Sequence, residues 1–273
     1  MPLRAAVFSV VCALASSSAS AAEPDTIAST SLCGDSYLLA LMGNDAPEKL
    51  VAMSWQSRDP VSSANDAQKS LPQIWDNPES YLSSGADLVV FGPGEGVGAE
   101  RFLTKAGINA HHLNWVEDFD GVFSNLESLG AAVDQDKPAR RMIADISLRL
   151  DRLEALPDTP KILYLARSGF SAGPGTFVDA AMTAAGGENI VTEPGWPKLD
   201  PEYLITLKPD LIVTSFFDDG YESVNAAAVR HHTVRQFIDA HNRLEIPGSV
   251  WPCAGPGLID AAEMIHASIK ALP

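Results

Sequence analysis

One short motif occurs twice in this chain, once in each half, and that duplication limits the available folds more than any other feature. Asn77-Pro78-Glu79 is followed, eight residues beyond the glutamate, by Asp87-Leu88-Val89-Val90. Asp200-Pro201-Glu202 is followed at the same distance of eight residues by Asp210-Leu211-Ile212-Val213. Asn or Asp suits a helix N-cap, Pro the first helical position, and Glu the positive end of the helix dipole. The apolar run after each aspartate reads as a strand buried on both faces. Each copy is a helical turn feeding a central strand, and two copies predict two lobes built to one plan.

The flanking sequence keeps a βα rhythm. In the first half a helix is predicted over residues 34–42, with Asp35 as N-cap and Gly43 after the last turn, then a strand over 50–53. A helix over 98–106 and a strand over 108–115 follow. The second half restarts with a strand over 161–166, a glycine-rich loop over 167–175 and a helix over 177–185. Later come a helix over 233–241, a strand over 249–251 and a C-terminal helix. Between the halves, residues 138–156 lack glycine, and Ile143, Ile146, Leu150 and Leu153 form one helical stripe opposite Arg140, Arg141, Arg149 and Arg152. Pro157 and Pro160 stop this helix, which reaches about 30 Å and reads as a spine between the lobes.

The expected class is therefore α/β: two βα lobes with mostly parallel central sheets joined by one long spine helix. Ligands in such sheets bind in loops beyond the carboxyl ends of strands. The expected boundaries are a signal peptide over residues 1–22, an N-terminal lobe over 23–136, a linker helix over 137–157 and a C-terminal lobe over 158–273. The signal peptide is read from Arg4, an apolar run over 5–15 too short to span a bilayer, and the small-residue stretch Ala19-Ser20-Ala21-Ala22. Cys12 lies inside that run without a lipoprotein context, so no lipid anchor is expected. A formal charge of −16 argues against nucleic acid and anionic membrane surfaces as partners. Beyond the signal peptide stand Cys33 and Cys253, for which a disulfide, two buried thiols and two soft metal ligands are all open.

Several residues are candidates for chemistry. Gly169-Phe170-Ser171-Ala172-Gly173 fits a nucleophile elbow after a strand, with Asp210 or Asp219 and His241 or His266 as partners, and defines a secreted serine hydrolase as one alternative. The loop continues through Gly173-Pro174-Gly175 where an elbow needs a helix. The pairs His111-His112 and His231-His232 lack the spacing of a metal motif, so a bare transition-metal site requires ligands from both lobes. Aromatic residues point elsewhere. Trp55, Trp75, Trp196 and Trp251, with Phe170, Phe216 and Phe217, fall where strands hand over to loops, and large rings at a crevice suit a big, flat ligand. Charged groups in the same loops are few: Arg58, Glu95, Arg167, Lys198, Asp218 and Asp219.

From about residue 26 to 272 the chain resembles the periplasmic binding proteins for vitamin B12 and iron chelates, which serve ABC importers. Four stretches carry the resemblance: residues 31–43, residues 77–82 with 86–90, residues 173–176 with 185–190, and residues 200–204 with 208–213. It implies a non-enzymatic, monomeric periplasmic receptor without cofactor or bound metal ion of its own. Its cargo would be a metal chelate, a corrinoid before a ferric siderophore or haem, since anionic siderophores ask for more Arg and Lys. Trp55, Trp75, Phe170, Trp196 and Trp251 would contact the ligand. Glu79 and Glu202 would pair with arginines of the membrane permease. The chain departs from the family at Leu32-Cys33, where a Ser-Pro is usual, and at Trp251-Pro252-Cys253, where cobalamin binders often carry charge. Both cysteines then align with cleft-facing loops of opposite lobes, where a disulfide would pin the cleft shut. On that basis a disulfide is less favoured, while paired thiols, free thiols and thiol contact with the ligand all stay open.

Overall fold

The two duplicated apolar runs form strands Leu88–Phe91 and Leu211–Ser215, in which every residue is buried. The computed structural model describes residues 24–43, 48–215 and 231–273. The expected signal peptide, and Phe216, Phe217, Asp218 and Asp219, lie outside the described residues.

In the first lobe, strands β1 (Ile27–Ser29), β2 (Leu50–Ser54), β3 (Gln73–Ile74), β4 (Leu88–Phe91) and β5 (Asn109–His112) are all parallel, in the order β3-β2-β1-β4-β5. Helices α1 (Leu32–Met42), α2 (Asp66–Lys69), α3 (Pro78–Ser83) and α4 (Glu100–Lys105) connect them, and α5 (Phe119–Ala132) follows. Helix α6 (Asp136–Asp151) leads to the second lobe. There the chain runs β6 (Lys161–Ala166), α7 (Phe177–Ala184), β7 (Glu188–Asn189), α8 (Pro201–Leu204), β8 (Leu211–Ser215), α9 (His232–Asp239), β9 (Arg243–Ile246) and α10 (Leu258–Lys270). This sheet is also parallel, in the order β7-β6-β8-β9.

The lobes share a plan that the order makes explicit. Strands β2-β1-β4-β5 correspond to β7-β6-β8-β9, and the first lobe adds β3 at its edge. The matched aspartates have a structural use in this plan. Asp87 accepts the N–H groups of Asp25 and Thr26 at 3.2 Å, at the entry to β1. Asp210 accepts the N–H of Lys161, the first residue of β6, at 2.7 Å. Each carboxylate pins the register of the central strand pair in its lobe, so the aspartate half of the repeat is explained by folding. The caps are less alike: the Asn77 side chain accepts the N–H of Ser80 at 2.9 Å, whereas Asp200 makes no side-chain cap bond.

The joining helix α6 starts two residues before the predicted stretch and ends five before it, at Asp151. Ile146 is buried, and Ile143, Leu150 and Leu153 pack against the core from its edge. Helix α5, which the sequence reading did not separate from its surroundings, lies alongside α6. Its Gly130 approaches so closely that a Cβ there would sit 2.6 Å from the Ala139 Cβ. The strand expected over 249–251 is instead a 3-10 turn, Gly248–Val250. The strand itself is β9, before Pro247, and its half-exposed edge position hides it from a search for apolar runs.

Arg149 fastens α6 to α10. It donates to both carboxylate oxygens of Glu263, at 2.9 and 2.6 Å, and also to Asp260. The bidentate bond to Glu263 is the main reason the guanidinium is held above its ordinary range, and it holds the Glu263 carboxyl below its own. Because both acids are partly exposed, Arg149→Met is expected to lose only about 1–2 kcal/mol, read from urea denaturation midpoints.

Candidate ligand-binding cleft

A cavity of about 490 Å³ lies between the lobes, where loops leave the carboxyl ends of the strands. The first lobe contributes Leu32, Gln56 and Val61; the second contributes most of the wall. That wall is aromatic. Phe177 packs against Trp196 with ring centroids 5.2 Å apart and against Trp251 at 5.9 Å. Tyr164 meets the same two indoles edge-on at 6.5 and 6.0 Å. Such offset and T-shaped contacts fix the rings before any ligand arrives.

The backbone presents these rings on a zipped pair of loops. The N–H of Ser171 donates to Pro197, that of Gly173 to Gly195 and that of Leu199 to Gly169, at 2.8, 2.8 and 3.1 Å. The approach is close enough that a Cβ on Gly173 would lie 1.7 Å from the Glu193 carbonyl oxygen, so only glycine fits. Phe170 and Trp196 ride at the tip, 41% and 39% exposed, facing the space a ligand would fill.

Of the five aromatic candidates, Phe170, Trp196 and Trp251 line the cavity together. Trp251 forms its buried wall. Trp55 and Trp75 do not line it: they follow β2 and β3 at the edge of the first sheet and are half-exposed. Tyr164 and Phe177 were missed because one reads as strand core and the other as the opening of a helix. Trp115 was absorbed into the predicted strand over 108–115; the strand ends at His112, which leaves this indole 74% exposed. Arg167 is the one cation among the described residues lining the cavity. Arg58 is turned to the carbonyls of Lys69 and Leu71, and Glu95 accepts from Thr30 and from the Gly92 N–H.

Cys33 and Cys253 are joined in a disulfide, with Cα atoms 5.3 Å apart, which is the alternative that the resemblance made less favoured. Cys33 opens α1 and belongs to the core cluster that residues of both lobes share, so the bond ties the lobes within that core. Cys253 and Ala254 adopt left-handed backbone, φ 54° and 49°, and the Tyr37 hydroxyl donates to the Ala254 carbonyl at 2.9 Å. A further link crosses the lobes where Glu117 accepts the Phe177 N–H at 3.0 Å, satisfying a free donor at the start of α7.

Ser171 is fully buried and donates to the Tyr164 carbonyl at 2.5 Å, and the next helix starts only at Phe177. Its hydroxyl is structural here, with no elbow around it. His241 and His266 are bonded to the carbonyls of Phe237 and Ala185. His112 stacks on Phe91 with centroids 4.7 Å apart. Among the described residues no three His, Cys, Asp or Glu side chains gather as a metal set.

A buried carboxyl and a half-buried imidazole shape the acid response. Asp35 on α1 accepts the Ser54 N–H and hydroxyl at 3.1 and 2.6 Å, yet burial pushes its carboxyl up to about 6. Burial, helped by His112, pushes His111 down to about 4. Below its unfolded value of 6.5, His111 takes a proton more readily in the unfolded chain, so stability falls toward pH 4. Asp35 acts oppositely: its contribution is complete below its unfolded value of 3.8 and is lost as pH rises through 6. Asp35→Asn removes that offset. Its urea midpoint is expected to drop more steeply than the wild type's between about pH 6 and pH 4, and parallel midpoints would contradict this.

Glu79 and Glu202 both lie exposed in the first turns of α3 and α8, helices that occupy matching places before β4 and β8. Neither forms an ion pair with another described residue. A second cavity, of about 640 Å³, lies at the amino ends of β6 and β8, lined by residues 154–160, Asp210 and the end of α10. It is larger, but it lies at the opposite end of the strands from the aromatic loops.

Two parallel sheets of one plan, a helix crossing between them and an aromatic cleft at the strand ends define a two-lobed protein with a candidate ligand cleft. The chain belongs to the periplasmic binding protein family, whose sequence model matches residues 27–240. It is 30% identical over 141 residues to a cobalamin-binding protein of Halobacterium salinarum, a match covering 48% of this chain and 38% of that protein. It is 24% identical over 209 residues to the uncharacterized ABC transporter substrate-binding lipoprotein YvrC of Bacillus subtilis, covering 70% of this chain and 60% of that one. The chain thus spans less than two thirds of the curated relatives it matches. Among solved structures it superposes on the periplasmic heme-binding protein HutB of Vibrio cholerae with a TM-score of 0.73 at 18% identity, covering 91% of this chain and 99% of that one. It also superposes on the periplasmic vitamin B12-binding protein BtuF of Vibrio cholerae with a TM-score of 0.62 at 17% identity, covering 91% and 98%. At these identities the two structures speak for the fold alone.

Proposed function

We propose that this protein is the periplasmic substrate-binding component of an ABC importer, which captures a large metal chelate between its lobes and delivers it to a membrane permease. The observation that carries this reading is the inter-lobe cavity: about 490 Å³, walled by Phe170, Trp196, Phe177 and Trp251, with Arg167 as the cation among its described lining residues. An aromatic wall with one cation among the described lining residues favours a large ring system of low net charge over an anionic siderophore. A corrinoid therefore comes first, with a ferric siderophore or haem next, and the cobalamin-binding relative supports that order.

In this reading residues 1–22 are a signal peptide that directs the chain to the periplasm, residues 23–136 and 158–273 are the lobes, and 137–157 the linker. The protein works as a monomer and turns nothing over. Phe170, Trp196 and Trp251 contact the ligand, with Trp55 and Trp75 flanking, and Glu79 and Glu202 meet basic residues of the permease. Cross-lobe ties at Cys253, Ala254 and Phe177 keep the closing motion small. The test is a visible-absorption titration of the purified protein with cyanocobalamin, a ferric hydroxamate siderophore and haemin. Saturable binding of cyanocobalamin in preference to the other two is expected, and binding of none of the three would remove the reading.

A further inference from the structure

We infer that each lobe docks through an acid paired with an exposed aliphatic side chain, Glu79 with Leu82 and Glu202 with Ile205. The partner would offer, twice over, a basic residue beside a shallow apolar recess. This rests on the proposed docking at the permease and adds to it the apolar half of each contact.

The duplicated motif contains more than its glutamate. Three residues beyond each Glu stands a large aliphatic residue, and in both lobes it is about half exposed: Leu82 at 51% and Ile205 at 48%. Residues three apart share one face of a helix. Between them, two beyond the Glu, Tyr81 and Leu204 are 2% and 1% exposed, which seats each turn on its sheet and leaves the Glu and aliphatic positions outward. Ile205 keeps helical backbone at φ −69°, ψ −10°, so the spacing holds beyond the short helix α8. An isolated exposed leucine needs no explanation. The same acid-aliphatic pair at the same place in two lobes is a different matter, because folding explains Asp87 and Asp210 but leaves Leu82 and Ile205 half exposed.

Each short helix has a further exposed apolar residue on it or on a loop beside it. In the second lobe Tyr203 is 50% exposed. In the first, Val97 is 89% exposed on a loop that shares a hollow with Pro78 and Tyr81. That loop is held against α3, since Asp76 accepts both the Gly96 N–H, at 3.0 Å, and the Tyr81 hydroxyl. The first patch is thus set in place before contact, which lowers the entropy cost of docking there. Two matched patches on one acidic chain suit a partner that repeats a single basic and apolar site, as a two-fold symmetric permease dimer does.

The test is uptake of radiolabelled cyanocobalamin and, in parallel, radiolabelled haemin by cells of the source organism that carry each variant in place of the wild-type gene. Cargo affinity and melting temperature are measured on every purified variant. Leu82→Ala with Ile205→Ala is expected to cut uptake about tenfold or more, with cargo affinity and melting temperature unchanged. Leu148→Ala, equally exposed on α6 at 48%, is expected to leave uptake unchanged. If the Leu82/Ile205 variant transports normally while Glu79→Ala with Glu202→Ala does not, docking stands and its apolar half is wrong. If both double variants transport normally, the docking reading falls with it. Loss of uptake explained by weaker cargo binding, or an equal loss in Leu148→Ala, also overturns the inference.

Discussion

Replacing Cys33 and Cys253 with serine is expected to lower the free energy of unfolding by up to about 5 kcal/mol, the largest single loss anticipated for this chain. The two residues are 220 positions apart, so the bond closes nearly the whole folded chain into one loop in the unfolded state. Chain-entropy arguments make the stabilisation grow with that loop, and strain or residual unfolded structure can only reduce it. The bond also has local consequences. It anchors the consecutive left-handed residues Cys253 and Ala254 beside Trp251, on the wall of the cleft. Urea denaturation of the wild type with and without reductant, and of the double serine variant, measures the effect. Equal midpoints in all three would contradict it. Faster exchange of the most protected core amides in both lobes would accompany the expected loss.

The second large effect concerns Trp196. Its indole is 39% exposed at the tip of the zipped loops and rests on Phe177 with centroids 5.2 Å apart, so it offers a flat face without being needed for the core. Trp196→Ala is expected to weaken chelate binding by about 30-fold or more, as removal of a central aromatic anchor does, while shifting stability by less than about 1 kcal/mol. Trp75→Ala provides the contrast. That indole is 52% exposed but lies off the cavity, and its removal is expected to change affinity by less than about threefold. Titration calorimetry of both variants against wild type distinguishes the cases. Equal losses for Trp75 and Trp196 would move the ligand toward the edge of the first sheet.

The architecture was legible because its strongest signals are local. A Pro at the first helical position and an unbroken buried run mark α3, α8, β4 and β8 whatever surrounds them. The long amphipathic stretch between halves marked α6 in the same way. Elements whose signal depends on neighbours were lost: β9 is a half-exposed edge strand, and α5 is defined as much by its packing on α6 as by its own pattern. The cleft was legible in part. Phe170, Trp196 and Trp251 were reachable because aromatics in loops after strands converge in a parallel sheet protein. Tyr164 and Phe177 were not, because a residue inside a strand or at a helix start gives no sign of which cavity it faces. The state of the cysteine pair was not legible for a related reason. Alignment placed both in cleft loops but said nothing of depth, and only the fold shows that Cys33 sits in a core common to both lobes.

The most direct test of the account is the crystal structure of the full chain grown with the chelate that binds in titration. The chelate is expected between the lobes, with its ring system against Phe170 and Trp196 and its edge near Arg167. A chelate in the distal cavity lined by Leu156, Pro157 and Lys270, with the aromatic cleft unfilled, would contradict it.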